Sequence, residues 1–157
     1  DRLRFGRVRW SPAMCQLESI LEEVCAQSVE PQRLRLEAHN LPSCTTDAQL
    51  LRMIMGNLID NALKYGMPGT PVRVLATAGT RRKRKGILIE VVNAIGAAGA
   101  PDPKRVFGKY YRGERARGKT GSGLGLHISA GLASKLGGSI RLQATDTEVR
   151  FYLWVPG

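Results

Sequence analysis

The stretch MIMGNLIDNALKYG, residues 53–66, decides the fold because its apolar and polar residues both recur at helical spacing. Apolar side chains repeat at three- and four-residue steps through it and upstream from Leu50, which predicts an amphipathic helix with one buried face. This helix is expected to begin near Asp47 and to end at Gly66, just before Pro68.

Polar residues of the same stretch share the other side of the predicted helix. Asn57, Asn61 and Lys64 are separated by four and three residues, so their side chains lie on one face. An asparagine carbonyl can join the oxygens around Mg²⁺, and a lysine ammonium can pair with a phosphate as a point charge. An ordinary solvent-exposed face has the same pattern, so the helix alone does not identify a site.

A glycine-rich segment, GSGLGL at residues 121–126, adjoins a second helical pattern that runs from Leu124 to Leu136. Glycines let the backbone approach a phosphate closely, and the free amides at a helix start add positive potential. One such segment is weak evidence, because turns also use glycine for conformational reasons. It lacks the preceding strand of a dinucleotide-binding unit and the Lys-Ser/Thr pair of a P-loop.

Strand patterns surround these two helices. Strands are predicted at residues 4–10, 32–38, 72–78, 86–92, 139–144 and 148–155, a further helix at 13–28 and a loop at 40–46. The order indicates one α/β domain over residues 1–157, a two-layer sandwich with about three helices on one face of a mixed, mostly antiparallel sheet.

The composition limits the class of protein. The 157 residues, 43% of them hydrophobic, suit one core. Cys15, Cys25 and Cys44 lack the spacing of a metal site or a disulfide framework, which indicates a reducing, cytoplasmic setting, and the first two are expected to pack within a helix.

The net charge of +11 would attract nucleic acid, anionic lipid or nucleotide alike. The basic run Arg81–Lys85 has no interleaved aromatic residues, which favours an exposed hairpin loop over a nucleic-acid or membrane contact.

A third segment, VFGKYYRGE at residues 106–114, lies between the two helices. Together the segments at 53–66, 106–114 and 121–140 resemble the asparagine, phenylalanine and second glycine boxes of bacterial sensor histidine kinases, in matching order over residues 47–157. The resemblance implies the ATP-binding fold shared with type II topoisomerases and heat-shock chaperones. In that fold ATP lies between the helices of the sheet and a lid, here at about residues 94–120.

The resemblance also assigns roles to individual residues. Asn61 would coordinate Mg²⁺, Asn57 would support the triphosphate and the metal, and Lys64 and Tyr65 would line the phosphate side. Asn57 and Lys64 are thereby the implied catalytic residues. Phe107 would fix the lid and Arg112 would approach the phosphates. The other implied ATP contacts are Gly96, Gly121, Ser122, Gly123, Leu124, Gly125 and Leu126.

The first glycine box departs from the family pattern. There an aspartate at the end of a strand binds the exocyclic amine of adenine, and glycines follow two and four residues later. Here Asn93 takes the place of the aspartate, and the glycines are displaced to Gly96 and Gly99. An asparagine carbonyl still accepts a hydrogen bond, but a charge-assisted bond is roughly twice as strong as a neutral one. The sequence therefore predicts a weakened adenine contact.

The implied activity is transfer of the ATP γ-phosphoryl group to a histidine of a dimerisation domain in the same parent protein, for relay to the receiver domain of a response regulator. That phosphoacceptor domain is expected before Asp1. His39 and His127 lack the acidic residue that follows an acceptor histidine, so neither is the predicted acceptor. The resemblance is compatible with a parent homodimer anchored in the inner membrane with this domain in the cytoplasm, and no nucleic-acid partner is expected.

Two other functions remain open at this stage. The replacement of the adenine-binding aspartate by Asn93 is also compatible with a pseudokinase, a regulatory module that binds ATP weakly or not at all. A serine kinase that acts as an anti-sigma factor has the same fold, but VFGKYYRGE is not expected in that branch.

Overall fold

The computed structural model describes residues 10–97, 99–108 and 125–157, and within them a sheet is covered on one face by helices. The helices are α1 (Leu17–Ala26), α2 (Ala48–Tyr65) and α3 (Gly125–Lys135). The strands are β1 (Ala13–Cys15), β2 (Leu34–Ala38), β3 (Cys44–Thr46), β4 (Val72–Arg81), β5 (Arg84–Ala94), β6 (Ser139–Ala144) and β7 (Glu148–Pro156).

The main sheet has five strands in the order β2-β4-β5-β7-β6. β2 pairs with β4 in parallel, and each of the other neighbouring pairs is antiparallel. The predicted two-layer α/β sandwich with a mixed, mostly antiparallel sheet is confirmed. Because side chains alternate along a strand, residues such as Ile89, Val91 and Phe151 face the helices and are fully buried.

Helix α2 is the centre of the core. Its apolar side chains are at most 5% exposed: Leu50, Leu51, Ile54, Met55, Leu58, Ile59, Ala62 and Leu63. The helix starts where predicted because Asp47 is its N-cap, with Oδ1 accepting hydrogen bonds from the backbone amides of Gln49 (3.0 Å) and Leu50 (3.1 Å). The other carboxylate oxygen of Asp47 accepts from the amide of Ser11 at 2.7 Å. One buried carboxylate thus fixes both the helix and the incoming chain.

Two predictions near the amino terminus are wrong. Residues Ala13–Cys15, predicted as the first turn of a helix, form β1, and α1 begins only at Leu17. The predicted loop at residues 40–46 ends in β3, which pairs with β1 and places Cys15 opposite Cys44. Cys15 is therefore buried in a strand and not in a helix. The reason is that β1 and β3 pair with each other, which satisfies the backbone hydrogen bonds of both segments. Pairing between distant segments leaves no local pattern in the sequence.

The basic run forms a tighter hairpin than predicted. β4 continues to Arg81 and β5 begins at Arg84, so Arg82 and Lys83 alone form the turn, with φ of 51° and 65°. Such positive φ values suit a two-residue turn that matches the strand twist. Residues 82–85 are exposed as predicted, whereas the guanidinium of Arg81 stacks on Trp154 at 4.9 Å.

At the chain start, residues 4–9 of the predicted edge strand lie outside the described residues, and Trp10 is exposed and in no strand. No helix in the described part of the chain is long and apolar enough to cross a membrane.

Candidate functional site

One side of α2 is polar and half-buried, as the spacing predicts. Asn57, Asn61, Lys64 and Tyr65 follow one another along this side and are neither fully buried nor fully exposed. Below them the apolar face of the same helix is locked into the core, so the backbone that carries these side chains is held rigidly. The polar side of α2 is therefore a preorganised surface.

Asn57 joins this surface to the start of α3. Its Nδ2 donates hydrogen bonds to the carbonyl of Gly125 at 3.3 Å and to Oγ of Ser129 at 3.1 Å. The Ser129 hydroxyl, which is fully buried, donates in turn to the Gly125 carbonyl at 2.9 Å. The structure thus brings the first predicted motif into contact with the last glycine of the second.

Asn61 lies one helical turn beyond Asn57. Within the described part of the chain its side chain makes no hydrogen bond, so its amide oxygen is available to a ligand. Its neighbour Asp60 is exposed. Partial desolvation raises the pKa of the Asp60 carboxyl, and the nearby Lys64 ammonium opposes that shift.

The described residues hold no cluster of three or more His, Cys, Asp or Glu side chains that could bind a metal without help. A divalent cation near Asn61 would therefore have few ligands from the protein. That donor set suits Mg²⁺, which usually keeps several waters and is bound by one or two protein groups together with substrate phosphates. The residues present fit a metal that arrives with a polyphosphate.

The C-terminal end of α2 packs closely on the end of β5. The Lys64 ammonium lies 5.5 Å from the centre of the Tyr65 ring. A Cβ added to Gly96 would stand 2.6 Å from the carbonyl oxygen of Tyr65 and 2.8 Å from that of Gly66. Only glycine permits this approach, so Gly96 acts here through close packing of two backbones.

Asn93, the last inward-facing residue of β5, lies beside this junction and is only 6% exposed. Its Nδ2 donates to the carbonyl oxygen of Ala94 at 2.9 Å. A Cβ on Gly66 would be 3.0 Å from the same nitrogen. The predicted base-recognising residue is thus brought next to the end of α2, and Gly66 leaves the room for it.

Phe107 and His127 connect the described part of the predicted lid to α3. The Phe107 ring meets Phe151 edge to face at 6.0 Å between centroids, and it packs against the core. His127 Nδ1 lies 3.1 Å from the Phe107 carbonyl oxygen, which can only accept, so Nδ1 carries the proton. Asp102 caps the turn before Lys104, whose backbone amide donates to Asp102 Oδ1 at 2.9 Å.

The remaining predicted residues divide into two groups. Gly125 is the exposed first residue of α3, and Leu126 follows it and packs partly against the core. Arg112, Gly121, Ser122, Gly123 and Leu124 lie outside the described residues.

Arg33 supports the site and was not identified from the sequence. Its side chain is only 7% exposed and donates to the carbonyl oxygens of Leu63 (3.1 Å), Met67 (3.0 Å) and Thr70 (3.0 Å). It also pairs with Glu30 at 2.9 Å. A cation at the C-terminus of α2 satisfies carbonyls that the helix leaves unpaired and interacts favourably with the helix dipole.

The family is decided by comparison with known proteins. A family model described as histidine kinase-, DNA gyrase B-, and HSP90-like ATPase matches residues 46–157, which include α2, Asn93 and α3. The chain belongs to this family. The expectation of a histidine-kinase-type ATP-binding domain is thereby confirmed.

Curated relatives of this ATPase domain are sensor kinases. It is 35% identical over 118 residues to the signal transduction histidine-protein kinase/phosphatase MprB of Mycobacterium sp. (strain KMS), covering 71% of this chain and 22% of that protein. It is 30% identical over 172 aligned residues to the sensor-like histidine kinase SenX3 of Mycolicibacterium smegmatis, covering 99% of this chain and 43% of that protein. The chain thus spans less than half the length of these relatives.

Solved structures share the fold of the ATPase domain. The full-length ShkA crystal structure in complex with AMPPNP superposes with a TM-score of 0.71 at 24% identity, over 97% of this chain and 33% of that one. The mycobacterial sensor histidine kinase MprB gives a TM-score of 0.66 at 24% identity, over 95% of this chain and 98% of that one.

Proposed function

We propose that this domain binds Mg²⁺-ATP and transfers its γ-phosphoryl group to a histidine on a separate dimerisation domain of the same parent protein. The observation that carries the proposal is the contact between Asn57 and the start of α3, at Gly125 and Ser129. It places the polar side of α2 against a helix start that follows a glycine-rich segment, which is the arrangement a polyphosphate needs.

Asn61 is the proposed protein ligand of Mg²⁺, because its amide oxygen is unpartnered within the described residues and lies beside Asn57. When bound, Mg²⁺ neutralises charge on the triphosphate. Asn57 positions the start of α3 through its hydrogen bonds to Gly125 and Ser129. Lys64 supplies positive charge one turn further on.

The base and phosphate contacts of the other residues follow the same arrangement. Asn93 recognises the base, and Tyr65 lines the nucleotide where α2 ends. Gly96 permits the approach of β5 to α2 that places Asn93 there. Phe107 anchors the predicted lid to the core. We also assign ATP contacts to Arg112 and to residues 121–126 on the basis of the family motifs.

Catalysis in this proposal consists of positioning and electrostatic stabilisation, as in other phosphoryl transfers. The nucleophile is a neutral imidazole nitrogen from the dimerisation domain, so this domain does not need a strong base. Asn57 accordingly carries an amide and not a carboxylate. The phosphoryl group then passes to an aspartate of a response regulator, and the reaction takes place in the cytoplasm.

A pseudokinase is the second candidate, favoured by the neutral Asn93 in place of an aspartate. The relatives do not favour it, because MprB and SenX3 are both named as histidine kinases. Asn93 also lies at the end of β5 beside α2, and its amide oxygen can still accept a hydrogen bond from a base.

The first test is calorimetric titration of the domain with Mg²⁺-ATP. We expect saturable binding that depends on Mg²⁺ and that Asn61→Ala abolishes or weakens more than about tenfold, the loss expected for one ligand to a metal. Gln49→Ala is the matched control, since it removes an exposed side-chain amide from the other end of α2.

The second test is phosphoryl transfer from labelled ATP to a histidine-kinase acceptor hairpin added in trans. Label on the acceptor histidine, lost in Asn61→Ala, supports the kinase. Tight ATP binding without any transfer, or no binding at all, would favour the regulatory module.

A further inference from the structure

The side chain of Asn93 is held in one orientation. Its Nδ2 donates to the Ala94 carbonyl oxygen at 2.9 Å and lies against Gly66, where an added Cβ would be 3.0 Å away. The amide oxygen is on the other branch of the side chain and accepts no hydrogen bond from any described residue. The residue therefore offers an acceptor while its donor is occupied.

The Ala94 carbonyl that accepts from Asn93 has a second hydrogen-bond donor. It accepts a second hydrogen bond from the backbone amide of Met67 at 3.0 Å. Met67 belongs to the connection between α2 and β4, and its own carbonyl accepts from Arg33 Nη2 at 3.0 Å. Arg33 Nε fixes the same connection further along, at the Thr70 carbonyl, also at 3.0 Å.

These contacts form a continuous chain of hydrogen bonds from the buried guanidinium of Arg33 through Met67 and Ala94 to the amide of Asn93. A buried cation must keep its hydrogen bonds, because an unsatisfied charge in the interior is costly. Arg33 thus restrains the position of the 66–70 connection strongly. The orientation of Asn93 depends on that position through the shared Ala94 carbonyl.

We infer that Asn93 selects the purine base through this fixed orientation and that Arg33 is a positioning residue for that selection. The inference rests on the proposed function, because it concerns the group that recognises the base of the bound nucleotide. Asn93 then differs from the aspartate of the family pattern in having a defined donor as well as an acceptor, and not only in accepting a weaker hydrogen bond.

The orientation predicts which base is accepted. The free amide oxygen of Asn93 can accept a hydrogen bond from the exocyclic amine of adenine. Hypoxanthine, the base of inosine triphosphate (ITP), carries a carbonyl oxygen at the same position, so two acceptors would face each other. Rotating the amide would not help, since it would place the amide oxygen against the Ala94 carbonyl. The site should therefore prefer ATP to ITP.

The same chain of hydrogen bonds reverses the effect on ATP affinity that a carboxylate at position 93 is expected to have. A carboxylate at this position has no hydrogen to donate to the Ala94 carbonyl, and the two oxygens would repel each other at the present distance of 2.9 Å. The side chain must turn away from Ala94, which moves its other oxygen away from the base. Asn93→Asp is therefore expected to weaken ATP binding about threefold or more, although charge alone would strengthen it.

The experiment is calorimetric titration of the full 157-residue chain with Mg²⁺-ATP and with Mg²⁺-ITP. The variants are Arg33→Gln, Arg33→Lys and Asn93→Asp. Arg52→Gln is the matched control, because it also removes one guanidinium that pairs with a glutamate, Glu23, but at an exposed position.

We expect the unaltered chain and Arg52→Gln to bind ATP about tenfold or more tightly than ITP, the factor that about 1.4 kcal/mol represents. Arg33→Gln should bring the ratio of the two affinities to within about threefold of unity while the ITP affinity stays nearly constant. Arg33→Lys keeps a buried cation with fewer donors and should give an intermediate ratio. It carries the test if Arg33→Gln does not fold.

Three results would overturn the inference. The first is a parallel loss of ATP and ITP affinity in both Arg33 variants, which indicates general destabilisation. The others are an unchanged ratio of ATP to ITP affinity in the Arg33 variants and tighter ATP binding by Asn93→Asp. Absence of any nucleotide binding by the unaltered chain would overturn the proposed function as well. The two failures are thus distinguishable.

Discussion

The side-chain amide of Asn57 on α2 donates a 3.1 Å hydrogen bond to the hydroxyl of Ser129 on α3, a residue 72 positions away. Ser129 is fully buried, so this bond is part of the packing between the two helices as well as of the site. A residue identified by its motif therefore also stabilises the fold.

This relationship predicts an energetic coupling between Asn57 and Ser129. Asn57→Ala and Ser129→Ala should each lower the free energy of unfolding, and the double variant should lose less than the sum of the two. The expected coupling is about 0.5–1.5 kcal/mol, the usual net value of one hydrogen bond. Urea unfolding of the four proteins measures it. Strict additivity would mean that the bond contributes nothing to stability.

Two glycines should respond in opposite directions to the same substitution. Gly96→Ala places a methyl group 2.6 Å from the Tyr65 carbonyl, where backbone must move, and should cost about 1–3 kcal/mol of stability. Gly56→Ala, inside α2 with nothing within 4 Å of the new Cβ, should instead stabilise by about 0.5–1 kcal/mol. Thermal or urea unfolding compares them. Equal effects would contradict the close approach of β5 to α2.

The N-cap of α2 should be sensitive to substitution at Asp47. Asp47→Ala removes the acceptor for two helix amides and for the Ser11 amide, and should lower stability by about 1–2 kcal/mol. Asp47→Asn keeps one acceptor oxygen and should lose less. Urea unfolding measures the stability of both variants. An equal loss in Asp47→Asn and Asp47→Ala would show that the hydrogen bonds accepted by Asp47 do not stabilise the domain.

The Cys44 thiol should react slowly in the folded domain. Burial raises the pKa of Cys44, and the neighbouring Cys15 raises it further. A raised pKa leaves less thiolate, the reactive form, so alkylation at pH 8 should be about tenfold or more slower than for free cysteine. Mass spectrometry after timed iodoacetamide treatment measures the rate, and guanidinium-unfolded protein is the control.

The same shift gives a pH dependence of stability with a defined sign. The folded state binds the thiol proton more tightly than the unfolded state, whose thiol pKa is about 8.5. The contribution is therefore complete below that pH and is lost as the pH rises from there through the raised pKa of the folded state. Cys44→Ala should make the stability between pH 8 and pH 10 less dependent on pH, and an unchanged slope would contradict this account.

The parts of the fold that were predictable from the sequence are those with long local patterns. Helix α2 was located within a residue at its start and at its end, because apolar spacing, Asp47 and Gly66 agree. Strands β1 and β3 were missed because three residues are too few to show a period. Their existence depends on pairing with each other over a long separation.

The candidate site was predictable only for those residues that belong to sequence motifs. Spacing predicts that Asn57, Asn61 and Lys64 share one face of a helix, and in the structure all three lie half-buried on α2; their role in binding stays a prediction. Arg33 was not predictable, because the alternating segment RLRLEA gives no reason to distinguish it from the exposed Arg35. Apart from Glu30, the partners of Arg33 are main-chain carbonyls 30 to 37 residues away, and main-chain groups have no signature in a sequence.

Helix α2 presents one face to the interior and the other to the nucleotide in our proposal, and this double use ties ligand affinity to the folding equilibrium. A nucleotide that binds only the folded chain adds about 2.7 kcal/mol to stability at a hundred times its dissociation constant. Cellular ATP would then act as a folding ligand for the domain. Variants with a weakened interior, such as truncations of Leu58 or Ile59, would survive in ATP-replete cells and be lost first when the nucleotide pool falls.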